Sequence, residues 1–300
     1  MTSPALAPAI NKKLWMAALK PPMYSVAVMP IWWGAAIARY ETGSINGPIF
    51  GLFLGAAVLL LIWENLANDV FDSDTGVDVN KHHSLVNLTR NRGLVFALAN
   101  ASLALGLGGI LAIAFLQRDP TVLILVLGCC VLGYIYQGPP FRLSYRGLGE
   151  ILCFFAFGPL AVGAAYYSQV QGFSLNSLVA SAVLGLTTSL ILFCSHFHQV
   201  EDDIAAGKRS PIVRLGTQGG ANLLPAICGL SFGLMVLLVA IGAAPVTALL
   251  GLGGLPWAIQ LCRHVGRYHD QPERVMNCKF IAVAMHFWSG LLFGLGYWLG

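Results

Sequence analysis

The chain has 300 residues, of which 10% are charged and 57% are hydrophobic. Soluble domains carry about 25% charged residues, so these charges are too few to coat a water-soluble surface. The composition excludes a soluble globular enzyme, a disordered chain and a nucleic-acid-binding protein. The apolar runs, such as 51–63 and 229–244, are continuous rather than alternating, which predicts membrane-spanning helices and not β-strands.

Nine helices are predicted, and together they form an all-α, polytopic transmembrane bundle. In chain order they cover residues 22–38, 48–69, 93–115, 121–137, 149–168, 177–199, 220–241, 246–264 and 280–299. Residues 1–21 are predicted to form a cytoplasmic N-terminal segment, and residues 22–300 a single transmembrane domain. Trp32, Trp33 and Trp298 lie near span ends, a position typical of tryptophans at the membrane–water interface.

The loops between these helices alternate in charge. The connections 69–92, 137–149, 199–219 and 263–279 are long and charged, whereas the connections between them are short and nearly uncharged. Of the 17 Lys and Arg residues, only Arg39 and Arg118 lie outside the N-terminal segment and the charged loops. Because basic loops stay in the cytoplasm, we expect the N-terminus and the charged loops there. A multi-pass membrane protein is therefore predicted.

The first charged loop begins with an acidic cluster at the end of the second predicted helix. Four polar residues recur there at helical spacing and form one oxygen-rich stripe: Asn65, Asn68, Asp69 and Asp72. Asp78 follows in a glycine-containing turn. Glu64 and Asn65 still lie at membrane depth, where ionisable groups are costly and usually functional.

A second acidic cluster, residues 196–203, follows the sixth predicted helix, and Lys208 comes soon after it. Carboxylates from two loops repel each other unless a cation lies between them. Oxygen ligands favour Mg²⁺ or Ca²⁺ over zinc, and Mg²⁺ commonly shares its shell with phosphates. The residues thus point to a membrane enzyme that acts on a lipid diphosphate. Two alternatives stay open: acids and bases that merely pair at helix ends, and a transporter with an intramembrane acidic site.

Three motifs make the chain resemble a known family. The sequence Asn68-Asp69-x-x-Asp72, with Asp78 beyond it, resembles the first Asp-rich motif of the UbiA superfamily of membrane prenyltransferases. The stretches 65–69, 145–150 and 207–216 resemble the 1,4-dihydroxy-2-naphthoate prenyltransferase branch (the MenA branch), and most closely its cyanobacterial and plastid phytyl-transferring members. The second Asp motif departs from the family pattern, because Gln199 replaces its first Asp and Asp203 takes the place of the second.

The resemblance implies a UbiA-like fold in a bacterial plasma membrane or a thylakoid membrane, Mg²⁺ as cofactor and a role for each candidate residue. The implied catalytic residues are Asp72, Asp203 and Glu150. The implied metal ligands are Asn68, Asp69, Asp72, Asp78, Asp202 and Asp203. The implied substrate-binding residues are Asn65, Lys81, Arg90, Arg142, Tyr145, Arg146, His198, Gln199, Glu201 and Lys208. His196 lies close enough to the second cluster to support its ligands.

The reaction implied is transfer of a prenyl group, in particular phytyl, from its diphosphate to 1,4-dihydroxy-2-naphthoate in phylloquinone or menaquinone biosynthesis. Ionisation of the diphosphate leaves an allylic cation, the ring attacks it, and loss of CO₂ and a proton restores aromaticity. The tail lies among apolar helices and membrane lipid. Another aromatic acceptor, such as homogentisate or 4-hydroxybenzoate, remains an alternative, and so does a cation-coupled transporter.

Overall fold

Long helices account for most of the computed structural model, which describes Met16, residues 21–75 and residues 84–300. The nine long helices are α1 (Ser25–Thr42), α2 (Gly47–Thr75), α3 (Arg92–Gln117), α4 (Thr121–Gln137), α5 (Gly149–Val170), α6 (Leu175–Ser195), α7 (Pro211–Ala240), α8 (Leu255–Tyr268) and α9 (Cys278–Leu299). Short α-helices cover Leu85–Thr89, Val200–Ala205 and Pro272–Val275, and 3₁₀ helices cover Pro21–Tyr24, Leu143–Arg146, His196–His198 and Val246–Gly254.

Each of the nine predicted helices overlaps one of these long helices, and the all-α prediction is confirmed. The first half of the predicted helix 246–264 is instead the 3₁₀ helix Val246–Gly254. Two boundaries differ in a way that matters. Helix α2 continues to Thr75, which places the whole first acidic stripe on one unbroken helix. Helix α7 begins at Pro211 rather than near residue 220, because proline is well suited to a first helical turn. Gly216, with a φ of 71°, then kinks this helix in the left-handed region.

The length and composition of the helices mark an integral membrane protein. Within the described residues, six helices are long and apolar enough to cross a membrane, namely α2, α3, α5, α6, α7 and α9. Helix α4 is a shorter apolar helix of 17 residues. Large apolar side chains are exposed along these helices, as at Phe115 and Leu105 on α3, which suits contact with lipid.

Helix α1 packs closely against both α5 and α9. A Cβ atom added to Gly34 would lie only 2.5 Å from Cβ of Ala165, so α1 and α5 meet with no room for a side chain. Trp33 is 1% exposed, and its Nε1 donates to the carbonyl of Gly290 at 2.7 Å. The prediction of an interfacial position for Trp33 is therefore wrong, because this ring fills the contact between α1 and α9.

Helix α5 has a π-helical stretch at Ala156–Leu160 that contains Pro159. Pro159 has no backbone N–H to donate, and wide turns of this kind accommodate such an interruption. At Gly158 an added Cβ would lie 2.7 Å from the carbonyl oxygen of Ser181, so α5 and α6 also meet through their backbones. The π-helical stretch therefore lies between the contact of α5 with α1 and the residues that open α5 at the charged end.

Different contacts stabilise the two ends of the bundle. At the end with the short, nearly uncharged connections, the Glu41 carboxylate accepts hydrogen bonds from Ser174 Oγ at 2.7 Å and from Asn176 Nδ2 at 3.0 Å. The hydroxyl of Tyr166 donates to the same carboxylate at 2.5 Å. At the other end the charged connections come together, and their contacts form the candidate site.

Candidate active site

The 3₁₀ helix Leu143–Arg146 is tied to the end of α2 by two contacts. Gln137, the last residue of α4, donates from its side-chain amide to Asp72 and accepts a hydrogen bond from Ser144 Oγ at 2.6 Å. The hydroxyl groups of Tyr145 and Thr75 are 2.7 Å apart. Asp72 is therefore held against the loop that joins α4 to α5.

The same 3₁₀ helix also contacts the segment that follows the second acidic cluster. The backbone N–H of Arg209 donates to the carbonyl of Tyr145 at 2.8 Å. The Arg214 guanidinium donates to the carbonyls of Arg209 and Arg146. The structure thus brings the two acidic clusters to the same end of the bundle, with the loop between α4 and α5 joining them.

Asp203 is the buried centre of the second cluster, with 1% of its surface exposed. Its Oδ2 lies 3.1 Å from Nδ1 of His196, and its Oδ1 lies 3.2 Å from Nζ of Lys208. Burial raises the pKa of Asp203, but the His196 hydrogen bond and the Lys208 charge outweigh burial, and the net pKa lies below its ordinary value. Both carboxylate oxygens of Asp203 are therefore already engaged.

His196 also reaches Glu150, the second residue of α5. Its Nε2 is 3.4 Å from Glu150 Oε1, while its Nδ1 faces Asp203. His196 is 3% exposed, and neither carboxylate oxygen of Glu150 has a hydrogen-bond partner in the described part of the chain. His196 thus hydrogen-bonds to Asp203 and approaches Glu150 without a hydrogen bond, and Glu150 keeps acceptor capacity for a ligand.

Some polar side chains of the first cluster hydrogen-bond within the protein, and one remains available to a ligand. Asp69 is 1% exposed, and its Oδ2 accepts from the N–H of Leu85 at 2.9 Å, which anchors the short helix Leu85–Thr89. Asn65 donates to the carbonyl of Leu61 at 3.2 Å, within its own helix. Asn68 is partly buried, and none of its side-chain atoms makes a hydrogen bond to the residues that the structure describes. Asn68 is therefore the open oxygen donor one turn before Asp72.

The other predicted site residues lie in varied settings. Arg142 is partly buried, and its Nε has no hydrogen-bond partner among the described residues. His198 and Gln199 are partly buried beside the second cluster. Four predicted residues have exposed side chains that make no hydrogen bond or ion pair to the described residues: Arg90, Arg146, Glu201 and Asp202. Asp78 and Lys81 lie outside the described residues.

The oxygen atoms of the first cluster supply part of the ligand set that a Mg²⁺ ion needs. Among residues 21–75 and 84–300, no three His, Cys, Asp or Glu side chains are grouped closely enough to hold a metal ion by themselves. Asn68 and Asp72 nevertheless present oxygen atoms one turn apart on α2. Mg²⁺ typically binds one or two carboxylates and completes its shell with water and substrate phosphates. The residues present therefore fit Mg²⁺ that arrives with a diphosphate.

Three residues that position the site escaped the sequence reasoning: Gln137, Ser144 and Thr75. Gln137 closes an apolar helix and Ser144 lies in a loop, and neither belongs to a recognisable motif. Only the rotation of α4 against α2 brings Gln137 to Asp72, and a single sequence carries no direct signal for that rotation.

Comparison with known proteins gives concordant results. The UbiA prenyltransferase family matches residues 27–291. A 2-carboxy-1,4-naphthoquinone phytyltransferase of Synechocystis sp. is 56% identical, over 99% of this chain and 97% of the relative. The chloroplastic protein of the same name from Arabidopsis thaliana is 40% identical, over 95% of this chain and 76% of the relative.

Solved structures agree on the fold. A UbiA homolog from Archaeoglobus fulgidus, bound to GPP and Mg²⁺, superposes with a TM-score of 0.60 at 16% identity, covering 93% of this chain and 99% of that one. A UbiA homolog from Aeropyrum pernix superposes with a TM-score of 0.67 at 16% identity, covering 91% of this chain and 96% of that one. The resemblance seen in the motifs is confirmed, and the transporter alternative loses its support. The chain belongs to the UbiA prenyltransferase family.

Proposed function

We propose that this prenyltransferase moves a phytyl group from phytyl diphosphate to 1,4-dihydroxy-2-naphthoate, with loss of CO₂, as a step of phylloquinone or menaquinone biosynthesis. The names of the Synechocystis and Arabidopsis relatives support the naphthoquinone-type acceptor and the phytyl donor. Those names give the oxidised form of the acceptor. An electron-poor quinone is a weak nucleophile towards an allylic cation, so the dihydroxy form is the reactive one.

The observation that carries the proposal is that the helix end bearing Asp72 and the segment that follows Asp203 both contact the 3₁₀ helix Leu143–Arg146, at one end of an apolar bundle. Asn68 and Asp72 would hold Mg²⁺ on the diphosphate, with Asp69 and Asp78 as further ligands. Asp203, with Asp202 beside it, would serve a second ion. Bound Mg²⁺ would supply Lewis-acid stabilisation of the charge on the departing pyrophosphate. Related structures from Archaeoglobus fulgidus contain Mg²⁺ together with GPP or DMAPP.

The basic residues of the site bind the diphosphate in this proposal. Lys208 already lies 3.2 Å from Asp203, and its three N–H donors can turn to phosphate oxygens when the substrate enters. Arg142 offers a buried Nε–H without a partner, and a phosphate or a carboxylate oxygen would satisfy it. Arg90 and Arg146, with Lys81 from the same charged connection as Arg90, would supply further positive charge.

Glu150 faces the acceptor in this proposal. Its carboxylate oxygens, which make no hydrogen bond to the described residues, can accept one from a ring hydroxyl, which raises the electron density of the ring before it attacks C1 of the prenyl chain. The C–O bond to pyrophosphate breaks, the new C–C bond forms, and the electrons of the bond to CO₂ return to the ring. The surrounding apolar helices exclude water from the allylic cation.

We place the site on the cytoplasmic side of the membrane, because the loops that build it carry nearly all the basic residues. Single cysteines introduced at exposed Asp270 and at exposed Ser44 should differ in labelling by a membrane-impermeant maleimide added to intact cells. Labelling of the cysteine at position 44 alone supports this orientation. The reverse pattern would place the site on the other face.

The direct test uses purified protein, Mg²⁺, the acceptor and a mixture of prenyl diphosphates of different lengths. We expect a prenylated, decarboxylated product, with phytyl preferred, and no turnover after chelation by EDTA. Asp72→Ala should lower kcat by more than about 100-fold, beyond what loss of an outer contact costs. Asp270→Ala, which removes an exposed carboxylate at the same end, is the matched control. Absence of product with every donor and naphthoate, but product with homogentisate or 4-hydroxybenzoate, would redirect the proposal to that acceptor.

A further inference from the structure

One carboxylic acid of α2 lies deeper in the membrane-spanning segment than the Asp-rich cluster. Glu64 comes four residues before Asn68 and eight before Asp72, so all three share one face of the helix. At a rise of 1.5 Å per residue, Glu64 lies about 12 Å further along the helix axis than Asp72. It is therefore on the site-facing side of α2, but below the position proposed for the diphosphate.

The surroundings of Glu64 come from the helices that carry the rest of the site. On α4, a Cβ added to Gly133 would lie 3.9 Å from Cδ of Glu64, so a residue without a side chain leaves room for the carboxyl group. Tyr136 on α4 and Cys153 on α5 both lie within electrostatic range of Glu64. Cys153 is one turn after Glu150 along α5. Glu64 thus lies in the seam of α2, α4 and α5, below both Asn68 and Glu150.

Glu64 has no partner of its own there. Its carboxyl group makes no hydrogen bond or ion pair to any residue that the structure describes, and the groups around it are thiols and aromatic rings. An ionisable side chain inside a membrane span is costly and commonly marks a functional position. No basic residue lies near enough to be its counter-ion among these neighbours. A partner that arrives with the substrates explains its presence.

The chemistry of the substrates leaves one candidate for that partner. The prenyl tail offers no donor, the diphosphate is proposed to lie beside Asp72, about 12 Å along the helix axis from Glu64, and the ring carboxylate is attracted to the basic residues at the charged end. The hydroxyls of the acceptor are donors. The 1-hydroxyl lies next to the ring carboxylate, at the side of the ring proposed to face Glu150, which leaves the 4-hydroxyl on the opposite side of the ring for Glu64.

We propose that Glu64 binds the 4-hydroxyl of the aromatic acceptor and thereby determines which acceptors this enzyme prefers. The ring would then lie with its carboxylate towards the basic end and its 4-hydroxyl towards the membrane interior. This inference rests on the proposed function. It assigns to Glu64 the positioning of the ring, while Glu150 faces the acceptor from the charged end.

The test compares two acceptors in three proteins. The acceptors are 1,4-dihydroxy-2-naphthoate and 1-hydroxy-2-naphthoate, which lacks only the 4-hydroxyl. Their Kd values are measured by tryptophan fluorescence with the purified full chain, wild type, Glu64→Gln and Glu64→Leu. Because the carboxyl group of Glu64 is left without its partner when the 4-hydroxyl is missing, the wild type should prefer the dihydroxy compound by about tenfold or more. The preference should fall below about twofold in Glu64→Leu and to an intermediate value in Glu64→Gln, which keeps an acceptor oxygen.

Kinetics separate positioning from a general structural effect. In both variants the KM for the acceptor should rise, while the KM for the prenyl diphosphate stays within about twofold of the wild type. Glu273→Leu, which removes an exposed carboxylate from the short helix Pro272–Val275, should keep the full preference. If Glu64→Leu does not fold, Glu64→Gln decides the question, because it has nearly the same shape. An unchanged preference for the dihydroxy compound in the folded Glu64 variants would overturn the inference. A wild type that binds and prenylates no naphthoate would instead refute the proposed function.

Discussion

Lys208→Met should destabilise the protein, because it leaves the buried carboxylate of Asp203 with one partner fewer. Lys208 Nζ is 3.2 Å from Asp203 Oδ1, and the two side chains are only 10% and 1% exposed. Removal of one partner from a buried ion pair costs about 3–5 kcal/mol. His196 keeps its contact with the other carboxylate oxygen, so we expect the lower end, about 3 kcal/mol.

A double-mutant cycle isolates the pair. Asp203→Asn removes the charge that Lys208 compensates, so the combined variant has no unpaired buried charge and should lose only about 1–2 kcal/mol. Unfolding of the four proteins in mixed detergent–SDS micelles, followed by circular dichroism, gives the free energies. Arg209→Met removes an exposed neighbouring base and should change stability by less than about 0.5 kcal/mol. Additive effects of the two substitutions, or a Lys208→Met variant as stable as the wild type, would refute this account of the second cluster.

Three further predictions concern packing, metal affinity and pH. Gly34→Val should lower the free energy of unfolding by about 1–3 kcal/mol, because its Cβ would overlap Ala165; an unchanged thermal melt would contradict that close contact. Gln137→Met removes the amide that orients Asp72, so the Mg²⁺ concentration for half-maximal turnover should rise about 10–100-fold, and an unaltered Mg²⁺ titration would argue against this role. Because the pKa of Asp203 lies below its usual 3.8, the stability advantage of the wild type over Asp203→Asn should be complete above that pH and lost as pH falls through the lowered pKa. Unfolding measured from pH 7 down to pH 3 tests this, and an advantage already gone at pH 6 would contradict it.

Hydropathy alone located every long helix, because a membrane leaves few alternatives to helical apolar segments. It missed the start of α7, since residues 208–219 are polar enough to read as a loop while Ser210 and Pro211 set a helix start that hydropathy does not detect. It also misplaced Trp33, because an indole suits a lipid interface and a helix contact equally well. Local patterns do not distinguish these settings, and tertiary packing decides between them.

The sequence predicted which residues belong to the candidate site better than it predicted which of them contact each other. The local pair of Asp203 and Lys208 corresponds to the alternative in which acids and bases pair at a helix end. The proximity of His196 to Glu150 was not predicted, because it depends on how closely α5 and α6 approach at Gly158. Contacts between distant helices follow from such backbone approaches, which a single sequence does not report.

The wide turn of α5 has a consequence for the phase of that helix. A π-helical turn holds about one extra residue, which rotates everything before it by about 100° relative to a continuous α-helix. Glu150 and Ala165 therefore do not share one helical phase: the first faces His196 beside Asp203, and the second faces Gly34 of α1. Deletion of one residue within Ala156–Leu160 would restore a regular helix and turn Glu150 by about a quarter of a circle. The five residues Ala156–Leu160 thus allow the part of α5 that carries Glu150 and the part that packs against α1 to be oriented differently.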